Sequence, residues 1–141
     1  MRSTINNSAV WLNTAKWFFT KSEDNPAAEY EFQLKDGDIY GMFITERIEI
    51  SIEFLLDVTL INAENIDPDT RLVKRERRTV NGKTVIYQEL EATVFGMNLT
   101  YFYYIYSDVS GSTRLIMYTS TNLLDEYKDE IDGILNGFTL Q

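Results

Sequence analysis

The chain has 141 residues, with 22 acidic and 13 basic side chains, no histidine and no cysteine, for a formal charge of −9. Disulfides, thiolate nucleophiles and thiolate metal sites are therefore excluded, and the commonest neutral-pH base and metal ligand is missing. So acidic a surface repels nucleic acid and anionic membranes, and neither is expected as a partner.

This length reads as one domain, residues 1–141, which can bury roughly 68% of the surface its unfolded form exposes. Hydrophobic content of 44% and aromatic content of 13% argue against disorder. No apolar run approaches the ~20 residues of a membrane span, and the first eleven residues lack the apolar stretch of a secretory signal. The expected location is the cytoplasm, the alternative being excision from a longer or exported protein. No metal or cofactor is expected.

Residues 1–8 are polar and expected to be disordered. Residues 10–19 hold both tryptophans and read as a strand or an irregular packed segment. Residues 21–27, with Pro26, read as a loop. Residues 30–34 and 39–46 form a hairpin around Asp36-Gly37. In that register Tyr30, Phe32, Leu34, Ile39 and Phe43 share one face. Tyr40, Met42 and Ile44 make the second strand apolar on its other face too, which places it inside a sheet.

Ser51 suits the N-cap of a helix running to about Asn65. Ile52, Leu55, Leu56, Thr59, Leu60 and Ala63 fall on one stripe at helical spacing. Glu53 favours the first turn, and Asp67-Pro68 ends the helix.

Residues 71–120 read as four consecutive antiparallel strands. Asn81-Gly82 is the strongest hairpin signal, and Phe95-Gly96 and Ser110-Gly111 mark the next reversals. Counting from these turns sets Lys74 opposite Glu89, Arg75 opposite Gln88, Arg77 opposite Ile86, Ala92 opposite Leu99 and Leu90 opposite Tyr101. One face then carries Val73, Ile86, Leu90, Ala92, Val94, Leu99, Tyr101, Tyr103 and Ile105; the other carries Val85, Tyr87, Phe102, Tyr104 and Tyr106, with Glu89 and Glu91. The segment 99–106, aromatic and β-branched on both sides, is expected to be central and doubly covered. A last helix spans residues 123–136, with Asn122 as N-cap, Asp125 and Glu126 in its first turns, and Gly137 as a left-handed C′ residue. The expected fold is α+β: an antiparallel sheet of about six strands with helices packed on it.

Several segments resemble the PsbP-like α/β/α sandwich family, named after a photosystem II subunit and shared with a yeast Ran-release factor. They are Arg77-Arg78-Thr79-Val80-Asn81-Gly82, the aromatic strand 102–107, Tyr118-Thr119-Ser120-Thr121-Asn122-Leu123, Ile134-Leu135-Asn136-Gly137-Phe138 and Ile44-Thr45-Glu46-Arg47. The resemblance covers about residues 29–140 and is to a bacterial branch of the family. It implies the fold and a non-enzymatic binding or assembly role. It carries over no functional residue.

Six of the basic residues lie in one hairpin: Arg71, Lys74, Arg75, Arg77, Arg78 and Lys83. A docking patch for an acidic partner or phosphate is one reading, the expected partner being a protein engaged through Arg75 and Arg77. Alternation sends Arg71, Arg75 and Arg77 to one face and Lys74 and Arg78 to the other, which suits a protected sheet edge. The aromatic set Tyr87, Phe102 and Tyr104 is ordinarily core, but if left open it could hold a partner or a small apolar ligand. The acidic face of the last helix, Asp125, Glu126, Asp129, Glu130 and Asp132, ordinarily means solvation.

A carboxylate enzyme would need Glu46 or Glu89; Glu89 and Glu91 lie about 6.5–7 Å apart along one strand face. For Glu46 a salt bridge to an arginine is the ordinary role. Gly82-Lys83-Thr84 lacks the upstream glycine of a phosphate loop. Asn65, Asp67, Asp69 and Glu76 have calcium-loop spacing, but Thr70 replaces the turn glycine. No catalytic residue is assigned.

Overall fold

Tight turns organise the second half of the chain. The computed structural model, which describes all 141 residues, has positive φ at Asn81 (49°) and Gly82 (79°), and again at Phe95 (49°) and Gly96 (78°). Positive φ at both central residues matches the right-handed strand twist and allows two-residue hairpins. These turns join β5 (Arg71–Val80), β6 (Lys83–Val94) and β7 (Met97–Asp108), and Gly111 (φ 139°) opens β8 (Gly111–Ser120). Phe95 is bulky, left-handed and fully exposed. Phe95→Asn should therefore raise stability by about 1 kcal/mol, because asparagine tolerates this region better. The check is a rise in the urea midpoint at unchanged slope.

The preceding strands are β1 (Ser8–Val10), β2 (Trp17–Lys21), β3 (Tyr30–Leu34) and β4 (Tyr40–Glu46). Helix α1 (Ile52–Ile66) follows, and α2 (Leu124–Leu135) and β9 (Phe138–Leu140) close the chain. The main sheet has seven antiparallel strands in the order β2-β3-β4-β8-β7-β6-β5; β1 and β9 form a separate two-stranded ribbon. Every cross-strand pair counted from the turns is present. β7 lies inside the sheet between β6 and β8, and β5 is an edge. Seven strands plus the ribbon exceed the expected six, because the second tryptophan opens the sheet strand β2 and the ribbon is built from Ser8–Val10 and Phe138–Leu140.

Each face of the sheet has its own core. On one face α2 and the ribbon cover Phe32, Phe43, Tyr87, Phe102, Tyr104 and Leu115. On the other, Leu55 and Leu56 of α1 pack on Ile44, Leu90, Tyr103 and Ile105. Ser51 caps α1 as expected, its Oγ accepting from the Phe54 amide at 3.3 Å. Asp67 ends it, and its carboxylate also accepts from the Thr93 amide at 2.7 Å, tying the helix exit to β6.

Four local expectations are corrected. Residues 1–8 are tied down rather than disordered: Arg2 bridges Ala9, and Ser3 and Thr4 donate to Glu29. Asn122 does not cap α2; it lies in a 3₁₀ turn, Thr121–Leu123, and its Oδ1 accepts from Ser120 Oγ at 2.6 Å. Gly137 is not left-handed. Glycine is needed there because a Cβ would lie 2.5 Å from the Trp11 carbonyl oxygen, where the ribbon meets the end of α2. Finally, the register shifts between Leu72 and Lys74. This bulge turns Arg71 to the α2 face, where it pairs with Glu91, away from Arg75 and Arg77.

Candidate functional site

Most of the cationic hairpin is satisfied within the fold. Arg75 donates from Nε and Nη2 to Gln88 Oε1 at 3.0 and 2.6 Å. Lys74 faces Glu89 in register but pairs with Glu76 at 3.4 Å, while Glu89 accepts from the Tyr87 hydroxyl at 2.6 Å. Arg78 donates to Glu76 at 2.7 Å and lies 3.6 Å over the Tyr87 ring. Arg77 is exposed and forms no ion pair. A bulged edge strand lined with cations resists pairing with a second sheet.

Tyr87, Phe102 and Tyr104 are buried beneath α2, with exposures of 4%, 8% and 2%. Tyr87 and Tyr104 meet edge to face at 6.0 Å, and the Tyr104 hydroxyl donates to Asn136 Oδ1 at 3.2 Å. Burial, with the bond to Glu89, pushes the Tyr87 hydroxyl well above its ordinary value. The rings are thus core, the ordinary reading, although Tyr87 and Phe102 also edge a groove of about 400 Å³ beside α2 whose other lining is mainly charged, Lys74, Arg78, Glu89 and Asp132 among it. Sequence alternation separated the two faces correctly, but it could not say which one α2 would cover.

A mostly apolar opening is on the opposite face. A cleft of about 420 Å³ lies between α1 and the sheet, within the usual size range of small-molecule sites. Val58, Thr59, Asn62, Ala63 and Ile66 of α1 form one wall, and Asn25 and Ala27 the other. The second wall is anchored by Asn25 Nδ2, 3.3 Å from Met42 Sδ. The floor crosses four strands, through Met42, Ile116, Tyr103, Tyr101 and Ala92. Eleven of the fifteen lining residues are hydrophobic, and the Thr59 hydroxyl is internally satisfied by the Leu55 carbonyl at 2.7 Å.

Two features extend this site. A cross-strand row of aromatic side chains leaves its lower end, with Tyr101 and Tyr118 at 5.2 Å and Tyr118 and Tyr40 at 5.6 Å. Burial raises the hydroxyl values of Tyr101 and Tyr118, aided for Tyr101 by Tyr118 and for Tyr118 by Tyr40 and Glu31. The rings are therefore neutral at physiological pH, apolar bodies with polar tips. At the upper end stands Arg114, its side chain 13% exposed, with Nη2 at 3.4 Å from Glu46 Oε1. That is the salt bridge expected of Glu46.

Sequence reasoning missed the cleft. Its only signal was the strict alternation of Tyr101 and Tyr103 on the face opposite the chosen aromatics. No three acidic side chains converge as a metal site, and no helix is long and apolar enough to cross a membrane.

No family model and no curated protein matches the chain. Solved structures do. Cyanobacterial PsbP (CyanoP) from Synechocystis superposes with a TM-score of 0.66 at 14% identity, over 97% of this chain and 94% of its own. LpqN of Mycobacterium tuberculosis, a protein involved in cell envelope biogenesis, gives 0.62 at 12% identity over 95% and 83%. PA94 of Pseudomonas aeruginosa, a putative regulator, gives 0.61 at 12% identity over 93% and 86%. At such identities the likeness concerns the fold alone, and it extends over nearly the whole chain: the chain has the PsbP-like fold.

Proposed function

We propose that residues 1–141 act as one non-enzymatic binding module, and that its working surface is the cleft between α1 and the sheet. One observation carries this reading: a preformed cleft of about 420 Å³ with eleven of fifteen lining residues hydrophobic, whereas the groove of about 400 Å³ beside α2 on the other face is lined mainly by polar and charged side chains. No nucleophile–base pair is assembled along it; its polar groups are an asparagine pair, one satisfied threonine, tyrosine tips and one arginine. Such a lining positions a ligand rather than transforms it. The neighbours named for a photosystem subunit, a putative regulator and cell envelope biogenesis are compatible with a binding role. A protein partner is the second reading, favoured by Arg77, which is exposed and unpaired beside Arg75 on the β5 edge.

The test uses a neutral apolar dye, N-phenylnaphthylamine. Wild-type protein should enhance its fluorescence with one-site saturation. Asn62→Trp, an exposed helix position on the cleft wall, should fill the mouth and weaken binding about tenfold, equivalent to ~1.4 kcal/mol. Equal binding by both proteins, or none by the wild type, would defeat the assignment.

A further inference from the structure

The cleft has a polarity along its length. Cross-strand pairing sets Arg114 level with Ile105, and Tyr118 level with Tyr101. Four residues of β8 separate the two levels, roughly 13 Å of strand. Between them the floor is apolar, formed by Ile116 and Tyr103, and α1 runs alongside. A guanidinium thus closes one end of an elongated apolar trench, and the other end opens onto the tyrosine row.

Arg114 is also incompletely used. A guanidinium carries five N–H donors in a planar fork suited to a two-oxygen anion. Here its one side-chain partner is Glu46 Oε1, in a long contact of 3.4 Å. A guanidinium with one long bond, its free N–H groups still reached by solvent, has donors to spare for a better-placed carboxylate. Glu46 is 38% exposed at the end of β4, so it can swing aside at small cost.

We infer that the trench binds a medium-chain fatty acid, with the carboxylate on Arg114 and the acyl chain laid along α1 towards Tyr101. The inference rests on the cleft reading of the proposed function and adds a ligand class and an orientation to it. Both ends are specified. The mostly apolar floor takes the chain with little polar surface to desolvate, and the arginine supplies charge complementarity that a neutral apolar molecule cannot use.

The experiment is displacement of N-phenylnaphthylamine at neutral pH by decanoate and by decanol, which share a chain and differ in head group. Decanoate should displace the dye at about tenfold lower concentration than decanol, the worth of one charge-assisted bond pair. In Arg114→Met that advantage should vanish while decanol is unaffected. In Glu46→Gln, which frees the arginine from its competitor, decanoate should bind more tightly than in wild type. The second variant keeps the inference testable if Arg114→Met folds poorly. Equal potency of decanoate and decanol, no displacement by either, or an unchanged decanoate preference in Arg114→Met would overturn the inference while leaving the cleft itself standing. Failure of the dye to bind would instead remove the cleft reading beneath it.

Discussion

Replacing Phe43 by alanine is expected to destabilise the protein by about 3–5 kcal/mol. Phe43 has no exposed surface, and it sits on β4 between β3 and β8, opposite Tyr30 and Leu115. Its ring stacks on Tyr30 at 6.4 Å and belongs to the core beneath α2 and the ribbon. Two hydrogen-bonded ladders hold its backbone, so the walls cannot collapse into the space left by the ring. The cavity therefore stays, and its cost adds to the lost transfer energy. Against a total stability of typically 5–15 kcal/mol this is a large fraction. Urea unfolding should show a lower midpoint with an unchanged slope. A loss below about 1 kcal/mol would mean that the site relaxes freely, which the ladder on both sides of β4 forbids. The milder Ile39→Val, also at a fully buried site, should cost only about 0.5–1.5 kcal/mol.

The register of β5, β6 and β7 was legible because each turn is encoded in two adjacent residues. Once Asn81-Gly82 and Phe95-Gly96 are placed, every pairing follows by counting, and alternation assigns the faces. The Val73 bulge was not legible: nothing in Leu72-Val73-Lys74 distinguishes a bulged residue from a paired one, so Arg71 was placed on the wrong face. The ribbon was invisible for another reason. It joins Ser8–Val10 to Phe138–Leu140, and no local pattern marks two three-residue segments at opposite ends of a chain as partners.

The cleft follows from proportions rather than from any motif. Seven strands at about 4.8 Å spacing make a sheet roughly 29 Å wide, whereas a helix with its side chains is only about 10–12 Å across. One helix cannot cover such a face. On the α2 side the ribbon adds to the cover, contributing Val10 and Phe138 to the core, and the groove left beside α2 is lined mainly by polar and charged side chains. On the α1 side the second contributor is a short loop, and its Asn25 and Ala27 reach only the rim of the cleft. The gap between helix and loop is the cleft, and the uncovered remainder leaves Phe18 and Tyr40 exposed at 53% and 38%. Which face would be undercovered depends on where the chain ends pair, so it could not be read before the ribbon was known.

Those chain ends depend on one carboxylate, which makes Glu29 the second large lever on stability. Its Oε1 accepts from Ser3 Oγ and Thr45 Oγ1, each at 2.6 Å, and its Oε2 accepts from the Thr4 amide at 2.7 Å and Thr4 Oγ1 at 2.9 Å. Residues 3 and 4 are thereby fastened to β4 through Thr45, and they lead directly into the ribbon. Glu29→Ala should cost about 2–3 kcal/mol, since it removes charge-assisted bonds and strands hydroxyls partly shielded from water. Its signature in hydrogen exchange should be lost protection at Ser8–Val10 and Phe138–Leu140 before β7 opens. The pH dependence has a definite sign. Burial alone would raise the Glu29 value, but the donors from Ser3, Thr4 and Thr45 outweigh it and hold the carboxyl below its ordinary range. The folded state thus takes up this proton at lower pH than the unfolded state. Its stabilising contribution is complete above the unfolded value of about 4.3 and is lost as pH falls through the folded value. Glu29→Gln, which cannot titrate, should show a shallower loss of stability in that acid window than wild type. Identical acid profiles for the two proteins would show that the carboxylate does not hold the ribbon in place.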